Sequence, residues 1–409
     1  MADIKPFKAY RPTPELADKI AALPYDVYNR EEAKKVVAGN PLSFLRIDRA
    51  ETNFDDSVDI YSEQVYKKAD ELIKEYIADG KFIQDKEEMY YLYQESWRGR
   101  TQTGIVGCAS IDDYENNIIK KHENTLAAKE ADRIRHIETT GMQTGPIFLS
   151  FCSNEEIDDF LKRKTMEVPV YDFTSDDEVT HRVWLIEDRD DIRFVRAAFK
   201  RMDSIYIADG HHRCASAVKV GVKKRAMGED DNEESDYFLS VLFPDNQLKI
   251  MDYNRVLKDT AGMTEEELLK EIGMFCSIEE SDQPYSPQMK GEVGMYMSGH
   301  WYKLTFNDDV KSSDAVDGLD VAILQDYILD KIWGISDPKT DKRIDFVGGI
   351  RGLEELERRC SLDCKVAFAM YPTSIVELFA VADEGRLMPP KSTWFEPKLR
   401  SGLFLHDIH

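Results

Sequence analysis

No stretch of eighteen apolar residues runs anywhere in this 409-residue chain, and the amino terminus, Met1-Ala-Asp-Ile-Lys-Pro6, has no signal-peptide core. A membrane-spanning helix and a secretory route are therefore not expected, and the cytoplasm is the expected compartment. The six cysteines, at 108, 152, 214, 276, 360 and 364, form no Cys-x-x-Cys pair. Structural zinc is not expected on that spacing, and reduced, packed thiols are. Cys214 is the one thiol with a reactive argument, because Arg213 and a helix start would lower its pKa. Basic charge is also in short supply. Lysine and arginine number 54 against 78 acidic residues, a net charge of −24. Nucleic acid and anionic membrane surfaces need a basic face, so neither is an expected partner. There is no internal repeat and no low-complexity tract. No His-x-x-x-His spacing occurs either, so no permanently held metal is expected.

What is present is a well-packed globular composition, 42% hydrophobic and 11% aromatic. The length exceeds one ordinary core, so two or three subdomains are expected. Periodicity places a helix over 55–79 with Gly80 as its stop. A hairpin comes next, with strands at 89–97 and 105–111 and a turn over 98–104. Residues 1–50 are proline-rich and read as strands and turns. A helix closed by Gly141 carries an apolar stripe of Ala131, Ile134 and Ile137. Residues 228–236 read as an exposed acidic loop. Further on, helices are expected at 264–273 and 318–333, with a capping box at Ser374 and Glu377. Irregular alternation of strands, hairpins and helices predicts an α+β (mixed α/β) fold with a mixed sheet. Residues 1–240 are expected to form a core, and 241–409 a second α/β region that packs on it and completes the site.

The segment richest in chemistry is Asp203-Ser-Ile-Tyr-Ile-Ala-Asp-Gly-His-His-Arg-Cys-Ala-Ser-Ala-Val218. A short β-rich run, 205–208, is broken by Asp209-Gly210 and succeeded by small apolar residues suited to a helix on a sheet. Two histidines and an arginine thus stand where a strand ends and a helix begins. Unpaired backbone N–H groups and the helix dipole favour an anion there, and Gly210 lets it approach. Arg213 can grip phosphate with a two-pronged hydrogen bond, while His211 and His212 can donate. No packing requirement calls for acid, glycine, two imidazoles and a guanidinium in five residues.

Three other constellations could carry chemistry. His122-Glu-Asn-Thr125, with Asp132-Arg133 beyond it, offers a carboxylate beside a histidine, so Glu123 is a candidate base, as is Asp209, and Thr125 or Arg133 can meet an anion. Glu123 and Thr125 serve equally well as caps of the next helix. Pro389-Pro-Lys-Ser-Thr-Trp-Phe-Glu-Pro-Lys398, with Arg400, is either a cationic lid bearing Lys391, Ser392 and Thr393 or a tail packed by Trp394 and Phe395. Gly348-Gly-Ile-Arg-Gly352 is a glycine-rich junction that tight-turn geometry explains as well as phosphate does.

Several of these pieces carry a family resemblance: Ile4-Lys-Pro-Phe7, Pro24-Tyr-Asp-Val27, Lys121-His-Glu-x-Thr125, Asp132-Arg133, Ala208-Asp-Gly-His-His-Arg213 and Pro390-Lys-Ser-Thr393. Together they resemble a widespread bacterial and archaeal domain of unknown function, the one numbered one thousand and fifteen. The Asp-Gly-His-His-Arg turn also resembles the Gly-x-x-Arg turn of the ParB and sulfiredoxin-like fold, which binds nucleotide phosphates. Relatives with that turn include kinases that phosphorylate free L-serine. The resemblance implies a nucleotide, ATP or ADP with Mg²⁺, held by 210–213. It also implies a nearby carboxylate, Glu123 or Asp209, that deprotonates a small hydroxyl substrate, with His122 and His212 close by. A phosphatase or nucleotide hydrolase using His211 or His212, and a nucleotide-gated binding protein, are the alternatives. Self-association into a homo-oligomer is compatible with the sequence.

Overall fold

A computed structural model describes residues 1–228 and 233–409. Contacts divide the chain into two compact units, Met1–Leu248 with Pro397–His409, and Lys249–Glu396. The boundary expected at 240 thus falls at 248, and the closing segment returns to the first unit. Its apolar side chains explain the return: Leu403, Phe404 and Leu405 are completely buried. The fold is α+β, with a mixed sheet in the first unit and an antiparallel one in the second.

The first unit is built on nine strands: β1 Ile4–Lys5, β2 Tyr90–Trp97, β3 Arg100–Ser110, β4 Ile119–Lys120, β5 Ile147–Phe151, β6 Tyr171–Thr174, β7 Thr180–Ile186, β8 Ile205–Asp209 and β9 Tyr237–Pro244. They lie in the order β4-β8-β5-β9-β3-β2-β7-β6, with β1 on β3. The pairs β4–β8 and β5–β9 are parallel and the rest antiparallel. The hairpin of β2 and β3 turns at Arg98-Gly99, both at positive φ (47° and 75°), with Trp97 opposite Arg100. Two residues with left-handed backbone match the twist of paired strands, so 100–104, expected in the turn, extends the ladder.

Three helices of this unit carry or adjoin its chemistry-bearing segments: α1 Glu63–Ala78, α2 Ala127–Thr140 and α3 His211–Ala226. Helix α1 begins later than its periodicity suggested, and Gly80 (φ 69°) closes its end as expected. The first fifty residues are more helical than proline content implied, with helices at Ala17–Ile20, Arg30–Gly39 and Leu45–Asp48. Asn29 and Glu32 form a capping box on the second of these, a signal readable in the sequence that the prolines obscured. Helix α2 ends at Gly141, and of its apolar stripe Ile137 lies in the core and Ile134 packs against it, but polar residues share the inward face. Ala131 is exposed, and Glu130, Arg133, His136, Ile137 and Thr140 point inward. Of the expected acidic loop, 229–232 lie outside the described residues. Glu233–Asp236 is a 3-10 turn in which Ser235 is buried and Glu234 accepts from Lys5 Nζ (2.6 Å) and pairs with His406 Nε2 (2.8 Å).

The main sheet of the second unit has six strands, β10 Tyr253–Leu257, β11 Cys276–Ser281, β12 Glu292–Met297, β13 His300–Phe306, β14 Ile344–Gly348 and β15 Val366–Met370, in the order β11-β13-β12-β15-β10-β14. The expected helix at 318–333 is realised as two α-helical turns, Asp320–Ile323 and Asp330–Trp333, around a π-helical Leu324–Leu329. The capping box at Ser374 and Glu377 opens the helix Ile375–Asp383. Among the described residues no helix is long and apolar enough to cross a membrane.

Helix α3 carries the Asp-Gly-His-His-Arg turn at its start, and its seating depends on a close approach at Gly221. A Cβ there would stand 2.3 Å from the Ser235 carbonyl oxygen and 2.9 Å from Ile111 Cδ1. Since the obstacle is backbone, Gly221→Ala is expected to destabilise the first unit by about 1–3 kcal/mol in urea unfolding. An unchanged midpoint would show that the helix can slide without cost.

Candidate functional site

Strands β4 and β8 run parallel, with Ile119 opposite Ile205 and Lys120 opposite Tyr206. Both therefore leave the sheet at the same edge, and the two chemistry-bearing segments of the sequence come directly after them. Ligands of open α/β sheets gather at such carboxyl ends of strands. Residues 121–126 extend from β4, and Asp209-Gly-His-His-Arg213 extends from β8.

Two contacts fasten these segments together across almost ninety positions of sequence. The His122 and His211 rings meet edge to face, with centroids 4.5 Å apart and an interplanar angle of 88°. The backbone N–H of Leu126 donates to His212 Nε2 at 2.9 Å. Neutral His212 then carries its proton on Nδ1. Glu123 lies between the two contacts, half-buried. The capping alternative for this loop does not hold, because the N-cap of α2 is Leu126 and no side chain caps it. Thr125 Oγ1 instead donates to Glu130, and Glu130 pairs with Lys219 of α3. Burial alone would raise the Glu130 carboxyl, but Lys219 and Thr125 bring it below its usual value.

Gly210 begins α3 in the left-handed region (φ 90°, ψ 29°), where a side chain would be strained. The Arg213 guanidinium folds back over it: a Cβ on Gly210 would stand 3.0 Å from Nη2. A Cβ on Gly145 would stand 3.3 Å from Nη1. Arg213 thus lies between two glycines, and its Nη1 donates to the Pro146 carbonyl at 2.6 Å. Asp209 pairs with Lys398 Nζ at 3.2 Å. Burial pushes the Asp209 carboxyl up, but Lys398 and Arg213 outweigh it and hold the group well below the usual carboxylate range.

Arg133, on the inward face of α2, is buried against Asp132 (Nη2 to Oδ2, 2.7 Å) and stacks 4.0 Å over the Tyr25 ring. Tyr66 donates to Asp132 at 2.8 Å. Arg133 and Arg213 line one narrow cavity of about 30 Å³ together with Tyr25, Asp48 and His136. Tyr25, Asp48, Arg133 and His136 also line a wider chamber of about 230 Å³. Two guanidinium groups on one cavity, with carboxylates at its wider end, suit an anion and a polar partner side by side.

Sequence reasoning missed Asp48 and His136. Helical spacing from Arg133 to His136 would have found the latter, had the inward face not been assumed apolar. Lys391, Ser392 and Thr393 belong to the second unit. Lys391 Nζ stands 5.4 Å from the Tyr253 ring centroid, and the Ser392 hydroxyl donates to the Pro389 carbonyl at 2.6 Å. Within the expected lid, 389–400, Trp394–Phe395 pairs with Ile250–Met251 as a strand, and Lys398 meets Asp209 of the turn. At the glycine-rich junction a Cβ on Gly349 would strike Asp252 Oδ1 at 2.0 Å, so close packing explains that glycine. Cys214 is fully buried, and burial pushes its thiol well up, which removes the reactive reading. Among the described residues no group of three or more His, Cys, Asp or Glu is placed to hold a metal ion.

The family described as protein of unknown function (DUF1015) matches residues 4–322. No curated protein matches the chain. Solved structures with distant likeness include a free serine kinase in complex with AMP, at 12% identity and TM-score 0.36, covering 71% of this chain and 86% of that one. SbnI with C-terminal truncation from Staphylococcus aureus stands at 12% and 0.39, with coverages of 72% and 84%. A conserved hypothetical protein from Pyrococcus furiosus stands at 13% and 0.34, with 72% and 92%.

The buried imidazoles give the site a pH signature. Burial holds His122 down to about 4, and burial with Arg133 holds His136 to about 4. His211 lies well below its ordinary value through burial and the neighbouring His122. Unfolded, each titrates near 6.5, so the unfolded chain binds more protons than the folded one between about 6.5 and 4. The stability they contribute is full above 6.5 and is lost as pH falls through that window. At pH 5 each ring costs roughly 2 kcal/mol relative to pH 7. Urea unfolding at the two pH values is expected to show this loss, and a flat profile would mean the rings are solvated.

Proposed function

The chain belongs to the DUF1015 family, and for it we propose nucleotide-dependent phosphoryl transfer to a small hydroxyl metabolite, with free L-serine as the best substrate. The observation that carries this reading is the fastening of the Glu123 loop onto the Gly210–Arg213 turn at the ends of two parallel strands. An anion-binding turn and a carboxylate beside it are the two parts such chemistry needs.

In this reading ATP or ADP supplies the phosphoryl group, and Mg²⁺ arrives bound to it, needing only one or two protein carboxylates. The backbone at the start of α3, Arg213 and Arg133 face the phosphate charge. Glu123 takes the proton of the acceptor hydroxyl as its oxygen bonds to phosphorus and the bond to the nucleotide leaving group breaks. Catalysis is then positioning plus charge neutralisation. Asp209 is the poorer base, because Lys398 and Arg213 stabilise its ionised form. A phospho-histidine route is disfavoured: His211 is buried, and His212 Nε2 accepts from Leu126.

The test is incubation of the whole protein with ATP or ADP, Mg²⁺ and hydroxylated amino acids, and then mass spectrometry for phosphoserine. Transfer supports the reading. Phosphate release without an acceptor points to a hydrolase, and nucleotide binding without turnover to a binding protein. Glu123→Gln is expected to lower turnover by roughly 10²–10⁴. Full activity would move the base elsewhere. Arg213→Ala is expected to weaken nucleotide binding by about 1.5–3 kcal/mol by calorimetry, and Arg213→Lys to restore it only in part. Unchanged affinity in a folded variant would overturn the phosphate-site assignment.

A further inference from the structure

The chamber of about 230 Å³ beyond Arg133 has walls whose charges are mostly settled among themselves. Arg49 Nε bonds Glu51 at 2.5 Å, and Arg133 is held by Asp132. Asp48 is the buried exception, while Asp26 and Lys129 on the same wall are exposed. It is 4% exposed, accepts a 2.8 Å hydrogen bond from the neutral Thr144 hydroxyl, and makes no ion pair among the described residues.

His136 lines the same chamber and is 3% exposed. One ring nitrogen, Nδ1, carries the proton in the neutral tautomer that an incoming amine selects. The other, Nε2, is then a bare lone pair, buried and without a hydrogen-bond partner. Two buried acceptors thus border one cavity: Asp48 has a single neutral donor and the Arg133 charge nearby, and His136 Nε2 has no donor. Leaving such groups unmatched is costly, and a neutral hydroxyl offers only one proton to the two of them. A protonated primary amine offers three, with a charge that suits the carboxylate.

We propose that Asp48 and His136 form the subsite for a protonated primary amine, which makes the acceptor a small amino-hydroxyl compound and not a hydroxy acid or polyol. This rests on the phosphoryl-transfer reading for its setting, while binding tests it independently of transfer. L-Serine and L-glycerate share one skeleton and differ in an ammonium against a hydroxyl group.

Titration calorimetry of the full chain with ADP and Mg²⁺ present is expected to show L-serine binding roughly 10–100-fold more tightly than L-glycerate. Asp48→Asn keeps the oxygen that accepts from Thr144 but removes the charge. It is expected to weaken L-serine by a similar factor and leave ADP affinity unchanged. His136→Phe, which removes both ring nitrogens, is expected to weaken L-serine more than L-glycerate. It carries the test if Asp48→Asn does not fold. Equal affinity for the two compounds, binding of neither, or full discrimination in the folded variants would overturn the proposal. Serine binding with no transfer under any condition would remove the kinase reading and leave the subsite standing. Transfer to both compounds alike would do the reverse.

Discussion

The arrangement depends on the join between residues 121–126 and the start of helix α3. Strands β4 and β8 are short, and parallel pairing of two residues from β4 would not by itself hold two loops in register. The ring contact of His122 with His211 and the Leu126 N–H on His212 supply that register. The join is then reinforced away from the sheet by Thr125, Glu130 and Lys219, which tie the loop, α2 and α3 together. Without it, Glu123 and Arg213 are residues on separate loops. With it, they stand on one edge of the sheet.

The electrostatics of that edge run against the protein's overall charge. A chain of net charge −24 concentrates Arg133, Arg213 and Lys398 at this place and keeps its buried imidazoles neutral. Each of these three cations is oriented by a partner. Arg213 spends one nitrogen on a backbone carbonyl, and Lys398 spends its charge on Asp209. Arg133 is shared between Asp132 and the face of Tyr25. Held this way, the guanidinium planes lose little freedom when an anion enters.

Much of this was legible in the residues. The strand, the break at Asp209-Gly210 and the helix of small residues come from local patterning, and the left-handed glycine confirms why the turn needs it. Capping boxes and closing glycines marked helix ends at Ser374, Gly80 and Gly141 for the same reason. What escaped was set by tertiary context. Helix α2 buries arginine and histidine because a cavity, not a sheet, lies on part of its inner face, so the apolar stripe accounts for only part of that face. Asp48 sits on a helix of four residues, too short for periodicity to register. The return of Pro397–His409 to the first unit is a long-range contact that no local pattern encodes.

If the two loops bind nucleotide phosphate as one device, their rings respond to it together. With eight histidines in the chain, selective isotope labelling makes each ring an NMR reporter. Addition of ADP is expected to move His122, His211 and His212 in concert while His300, exposed in the second unit, stays still. Nucleotide binding that leaves those three rings unmoved would separate the loops from the phosphate and contradict their joint role.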